Sequence, residues 1–254
     1  MPLSPLSAFQ DNYIWTLSAP GAGTVVVDPG EAGPVLQAAA NGLQPALLLL
    51  THHHPDHIGG AATLLAQWPG LPVFAPEDAR IDLPCQRVAD GDAVAVGPWH
   101  FDVLAVPGHT RSHVAFTGHG VLFSGDTLFS LGCGRVFEGT AAQMLDSLDR
   151  LAALPGDTRV CCGHEYTLAN AAFAAAVEPD NPALRRRTLE AAAMRERGEP
   201  TLPATLAGEL AANPFLRVDR ASVRDAVAAR LGRTPMGRVE TFAELRRWKD
   251  GFRA

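Results

Sequence analysis

Short apolar runs, each closed by a glycine- or proline-bearing turn, set the rhythm of the first two thirds of the chain. Residues 24–28 (TVVVD) read as a buried strand ending in the turn Pro29-Gly30, and residues 34–42 as a short helix stopped by Gly42. Residues 45–51 form an apolar strand, 58–68 a helix and 72–75 a further strand. Residues 94–96 and 99–106 alternate as strands around Gly97-Pro98, while 113–117 and 121–124 read as a hairpin around Gly118-His119-Gly120. An amphipathic helix over 140–153 precedes a last strand at 158–162. Strands alternate with helices, so this part is α/β in character.

Beyond residue 165 the pattern changes to alanine- and arginine-rich helical stretches at 167–177, 182–197, 203–212, 221–231 and 240–249, with no strand-like run. The division predicts two domains, 1–165 and a small helical domain over 166–254.

Composition adds bounds. A chain of 254 residues, 47% hydrophobic and 19% charged, suits a packed core rather than disorder. Its longest apolar run, at 45–50, is far short of the roughly 20 residues that span a bilayer. The first residues show no basic-then-apolar export signal, so a cytoplasmic location is expected. In that setting Cys85, Cys133, Cys161 and Cys162 are expected as reduced, mostly buried thiols. Charge is uneven: residues 1–184 hold 6 basic against 18 acidic side chains, and 185–254 hold 15 against 9, giving −12 and +6. Such a basic end suits an anionic ligand, nucleic acid or the acidic half of the chain itself.

The chemistry is concentrated in Thr51-His52-His53-His54-Pro55-Asp56-His57, which directly follows an apolar strand. In extended backbone, residues two apart share a side, so His52 and His54 converge while His53 points away. Pro55 breaks the strand and the turn returns Asp56 and His57 to the same pocket. His109, Asp126 and His164 each stand just past a predicted strand, each behind a glycine. Imidazoles and carboxylates are donors that zinc, iron and manganese accept. Seven donors exceed one tetrahedral ion and suit two ions sharing a carboxylate. There is no HExxH, no G-x-S-x-G and no P-loop, and the fragments at 21–23 and 132–134 are lone GxG signals.

THHHPDH with downstream PGHT, GDT and GH resembles the metallo-β-lactamase superfamily signature. FQDNYIW (9–15), SGDTLFSLGCGRVFEGT (124–140), CGHEYT (162–167), NPFLR (213–217) and RRWKDGF (246–252) narrow the resemblance to the glyoxalase II, or hydroxyacylglutathione hydrolase, family over residues 8–252. The resemblance implies an α/β fold, a four-layer αββα sandwich followed by a small C-terminal α-helical domain. It implies a catalytic 1–165 and a substrate-binding 166–254. It further implies one metal on His52, His54 and His109, another on Asp56, His57 and His164, and Asp126 bridging. Two divalent ions per chain are expected, zinc first, with iron or manganese open. Asp56 and Asp126 are the expected catalytic carboxylates. Arg135, Tyr166, Arg246 and Lys249 are expected to contact glutathione, whose two carboxylates suit an Arg fork and a Lys charge. Phe137, also expected at the substrate, stands where some members carry a tyrosine whose hydrogen bond to the glutathione moiety it cannot donate; Ser112 stands where the family often has glycine, without expected consequence. The implied reaction is hydrolysis of S-(2-hydroxyacyl)glutathione, by a monomer that binds neither nucleic acid nor membrane. Alternatives left open are a one-iron sulfur dioxygenase, a nuclease of the same superfamily, and a metal-binding module without catalysis.

Overall fold

The computed structural model describes residues 1–253. A first sheet is built from β1 (Leu3–Ala8), β2 (Asn12–Ala19), β3 (Gly23–Val27), β4 (Pro45–Leu49), β5 (Val73–Pro76) and β6 (Gln86–Val88), hydrogen-bonded in that order. β1–β3 are antiparallel; β3 to β6 run parallel. The crossovers carry α1 (Gly33–Ala40), α2 (Pro55–Ile58) and α3 (Ala61–Gln67). Leu48, Leu50, Val26 and Val73 pack with Val35 and Leu64 of the helices. Leu47 and Leu49 are equally buried and, by the pleat, line the opposite face. Both faces of β4 are therefore apolar, which explains its uninterrupted hydrophobic run.

The second sheet contains β7 (Ala93–Val96), β8 (Trp99–Ala105), β9 (Val114–Gly118) and β10 (Val121–Gly125), and continues to β13 (Arg159–Cys162) and β14 (Ala204–Thr205), in the order β14-β13-β10-β9-β8-β7. A small ribbon pairs β11 (Leu128–Phe129) with β12 (Gly132–Cys133). The remaining helices are α4 (Ala141–Ala152), α5 (Thr167–Val177), α6 (Pro182–Glu196), α7 (Leu206–Ala212), α8 (Ala221–Leu231) and α9 (Arg238–Asp250). Thr140 and Gln143 close a reciprocal cap on α4, and Asn181 caps α6 ahead of Pro182.

By compactness the chain forms two units. The first comprises Met1–Ala105, Ser112–Gly125 and Cys161–Glu165; here Val114 N donates to Thr51 O, and the Trp15 indole donates to Cys162 O. The second comprises Val106–Arg111, Asp126–Val160 and Tyr166 onward. It has its own apolar centre, where Leu131, Ala171, Ala174, Leu184 and Ala212 pack together and the Phe173 ring stacks on Phe215.

Several elements differ from the sequence reading, among them β6 and the β11–β12 ribbon, where no strand was expected. The hairpin of β1 and β2 was not foreseen: β1 mixes exposed and buried positions and carries Pro5, which an edge strand tolerates. The helix expected at 58–68 divides at Gly59-Gly60, two residues of low helix propensity; the second packs so closely that a Cβ on it would stand 2.4 Å from the Glu31 carbonyl carbon. After residue 165 one strand does occur, the two-residue β14, whose pairing with Arg159 and Val160 overrides the absence of a local strand signal. The helix expected from 203 accordingly begins at Leu206, capped by Thr205.

Candidate metal centre

The donors stand where strands end. His52 and His54 follow β4, Asp56 and His57 lie in α2, His109 follows β8, Asp126 follows β10 and His164 follows β13. His52, His54, His109 and Asp126 offer ligand atoms within 4.8 Å of one another, and so do Asp56, His57 and His164. The seven expected donors lie in these two groups, with Asp126 in the first alone rather than between the two. His52 Nε2 and His54 Nδ1 are 3.1 Å apart, His109 Nε2 and Asp126 Oδ2 3.4 Å, His164 Nε2 and Asp56 Oδ2 3.4 Å, and His57 Nε2 and Asp56 Oδ2 3.6 Å. Donors on a tetrahedral ion with bonds near 2.05 Å stand about 3.3 Å apart. The donor set and its spacing therefore fit divalent metal ions.

Four of the five donor imidazoles are oriented from behind. Asp28 Oδ2 faces His57 Nδ1 at 3.0 Å, Asp11 Oδ1 faces His164 Nδ1 at 2.8 Å, the Arg135 carbonyl faces His109 Nδ1 at 2.9 Å, and Thr51 Oγ1 faces His52 Nδ1 at 3.0 Å. With Nδ1 engaged, Nε2 is the nitrogen presented to a metal, and its tautomer is set. Asp28, His52 and His57 also lie close enough to form a third donor group. The Asp28 oxygens, however, accept from Thr51 N at 2.8 Å and Thr51 Oγ1 at 2.7 Å as well as facing His57, so this carboxylate is a support and not a ligand. Asn12 Nδ2 donates to Asp56 Oδ2 at 3.0 Å and fixes a donor that is only partly buried.

Sequence reasoning missed these supports. Asp11 and Asn12 sit inside FQDNYIW, and Asp28 ends an apolar run before Pro29-Gly30; a carboxylate at a strand end was the available signal. His53 points away as expected, its Nδ1 3.5 Å from Asp78 Oδ2. His113 is buried and stacks on His52 with ring centroids 4.5 Å apart. The lone GxG at 132–134 has a packing reason: a Cβ on Gly134 would stand 1.9 Å from the Asp126 carbonyl oxygen.

The predicted substrate residues are partly assembled. Arg246 is buried, donates through Nη1 to Cys133 O at 2.7 Å and pairs with Asp250 at 3.1 Å. Exposed Arg135 reaches the same Asp250 at 3.6 Å. Lys249 donates to Ala169 O at 3.1 Å; burial, then the Arg246 guanidinium, brings its amine down to about 8. Tyr166 sets its ring edge-on to Phe129, and Phe137 is exposed with its ring 5.2 Å from that of His109. Arg246, expected at glutathione, is also tied to the Cys133 carbonyl and Asp250, which gives it a structural task. All four cysteines are unbridged, and burial pushes the Cys133 thiol up to about 11. Among the described residues no helix is long and apolar enough to cross a membrane.

Comparison with known proteins agrees with this geometry. The profile of the metallo-beta-lactamase superfamily matches residues 13–164, and that of the hydroxyacylglutathione hydrolase C-terminus matches residues 165–252. A hydroxyacylglutathione hydrolase of Xanthomonas euvesicatoria is 59% identical over 255 residues, with 100% of both chains covered. One of Xylella fastidiosa is 57% identical over 252 residues, covering 99% of this chain and 98% of that one. Among solved structures, the BLEG-1 B3 metallo-beta-lactamase superposes with a TM-score of 0.63 at 23% identity, over 85% of this chain and 98% of that one. Fold and donor set thus define a metallohydrolase of the metallo-β-lactamase superfamily. Within it, the chain belongs to the hydroxyacylglutathione hydrolase family.

Proposed function

We propose that this chain hydrolyses the thioester of S-(2-hydroxyacyl)glutathione, S-D-lactoylglutathione in the usual case, releasing glutathione and D-lactate. The observation that carries the reading is full-length identity of 57–59% to hydroxyacylglutathione hydrolases, with all seven donors kept in two groups. Two divalent ions per chain, zinc by first preference, would be held by His52, His54 and His109 and by Asp56, His57 and His164, with Asp126 as a further ligand. When bound, such ions lower the pKa of water toward neutrality and polarise a carbonyl oxygen.

The chain's own residues do the rest. Arg135, Arg246 and Lys249 supply positive charge for the glutathione carboxylates, and Tyr166 and Phe137 offer ring surface beside them. Residues 166–254 act as the substrate-binding part and 1–165 as the catalytic part, in a monomer. Holding the tripeptide turns binding energy into orientation of the thioester carbonyl. Asp56, pinned by Asn12, and Asp126 present the carboxylates that orient the attacking water. Water adds to the carbonyl carbon and the carbon–sulfur bond breaks. The leaving thiolate, with a pKa of about 8.5, departs without a strong general acid. The second donor group, Asp56, His57 and His164, speaks against a one-iron reading.

The test is loss of thioester absorbance of S-D-lactoylglutathione, with metal content measured on the same protein. Rapid hydrolysis with close to two metals, and a raised KM in Arg246→Ala/Lys249→Ala, is expected. No hydrolysis by protein loaded with two metals overturns the proposal.

A further inference from the structure

Beyond the carboxylates that touch the histidines lies another, Asp78, two residues past the end of β5. β5 runs parallel beside β4, pairing Leu48 with Val73 and Leu49 with Phe74, so the turn after β5 arrives beside the turn after β4 that carries His52, His53 and His54. Asp78 is buried, yet three chain segments converge on it. Arg80 donates from N at 3.0 Å and Nε at 2.8 Å to Oδ1, and from Nη2 at 2.7 Å to Oδ2. Ser112 Oγ donates to Oδ2 at 2.5 Å, and His53 Nδ1 faces the same oxygen at 3.5 Å. Removing a carboxylate from water is costly, and a site that keeps one gains definition of geometry in return.

The two outer partners decide what is being defined. His53 sits between His52 and His54 in the chain, and in extended backbone its side chain is the handle on the face opposite theirs. Ser112 precedes His113, whose ring lies flat on His52, 17° from parallel. One carboxylate therefore hydrogen-bonds the segment whose next residue backs His52, and stands within ion-pair distance, 3.5 Å, of the far side of the histidine turn at His53 Nδ1. Ser112 supplies a hydroxyl that glycine, the residue the family resemblance leads one to expect there, does not have.

We propose that Asp78 is a positioning residue for the metal centre, holding the His52–His54 turn through His53 and bracing it through Ser112. The role rests on the metal reading above, and it is testable without substrate.

The experiment measures divalent-metal affinity of metal-stripped protein by competition with a chromogenic chelator, using zinc, and the ligand-field spectrum of the cobalt-loaded protein. Partners behind metal ligands typically change affinity by about 10–100-fold. Asp78 acts one residue further out, so Asp78→Ala and His53→Ala are each expected to lose about tenfold and to shift the cobalt spectrum. Ser112→Gly should lose a few-fold. His53→Gln, whose amide can still donate to Asp78, should restore most of the loss. Residues acting through one device are non-additive, so Asp78→Ala/His53→Ala should bind no worse than Asp78→Ala. A folded Asp78→Ala with wild-type affinity and an unshifted spectrum overturns the proposal, as do additive losses. Should Asp78→Ala fail to fold, His53→Ala against His53→Gln decides: equal affinities overturn it. Loss of affinity in a protein without thioesterase activity would count against the proposed substrate and leave this role standing.

Discussion

Asp28→Asn separates the two tasks of a carboxylate that supports a metal ligand. Asp28 Oδ1 accepts from Thr51 N at 2.8 Å; Oδ2 accepts from Thr51 Oγ1 at 2.7 Å and faces His57 Nδ1 at 3.0 Å. An asparagine fills the same space with one accepting and one donating end. With its oxygen toward Thr51 N, its NH2 meets His57 Nδ1, which must then be bare; the ring proton moves to Nε2, the nitrogen required for a metal. With the amide reversed, His57 keeps the right tautomer but the buried Thr51 N–H meets another donor. An orphaned buried donor costs about 1–3 kcal/mol. Without metal the first orientation costs only the Thr51 hydroxyl's bond to Oδ2, about 1 kcal/mol, so the stripped variant should melt within about 4 °C of wild type in a chain of this size. With metal, one of the two penalties must be met, and 1–3 kcal/mol corresponds to roughly 5–150-fold in affinity. The assay is chelator competition for the loaded form and thermal unfolding for the stripped form. Asp28→Ala, which removes every acceptor at once, should instead lose about 3–5 kcal/mol of stability. Unchanged metal affinity in Asp28→Asn would refute the argument that the Asp28 carboxylate sets the His57 tautomer.

Two further outcomes are expected. Lys249, brought down to about 8 by burial and then by Arg246, is charged below that pH and neutral above it. A carboxylate held by it should therefore be bound more weakly as pH rises through about 8, seen as a rising KM that Lys249→Arg flattens; a KM flat across pH 7–9 in wild type would remove Lys249 from the binding set. Folding has the opposite slope: above pH 8 the unfolded chain takes up the Lys249 proton more readily than the folded one, so stability from this group rises with pH. Glu209 is buried and its carboxyl is pushed up by desolvation, while it accepts from Ser130 Oγ at 2.8 Å, Leu131 N at 2.7 Å and Asn213 Nδ2 at 3.1 Å. Glu209→Gln can keep all three contacts if the Ser130 hydroxyl reverses, so its melting temperature should stay within a few degrees, whereas Glu209→Ala orphans buried donors and should lose about 2–4 kcal/mol. Equal destabilisation by both would show that the network needs the charge.

Ligands were more legible in the sequence than their supports, for a physical reason. A metal donor must be one of a few residue types, and His52, His54, Asp56 and His57 announce themselves by crowding into one turn after an apolar strand. His109, Asp126 and His164 repeat the strand-then-glycine context. A support such as Asp28 or Asp11 is an ordinary carboxylate whose meaning lies in a partner 29 or 153 residues away, which no local pattern encodes. Ser112 likewise looked inconsequential until Asp78 stood 2.5 Å from it. The elements followed the same logic. Strands buried on both faces were readable from apolar runs, while β1, half exposed and bearing Pro5, and β14, formed only by its neighbour, were not.

That short β14 also bears on how the chain can be divided. The two family profiles meet at residues 164 and 165, which invites a cut there. But Ala204 and Thr205 occupy the outer side of β13, pairing with Val160 and Arg159. A chain ending at 165 would leave that side as a bare row of amides and carbonyls, the template on which other chains stack. The second compact unit, which runs back through Asp126–Val160, gives the same answer by another route. A chain cut at the seam between the two profiles is therefore expected to self-associate through the bared edge of β13, whatever the C-terminal residues do for a ligand.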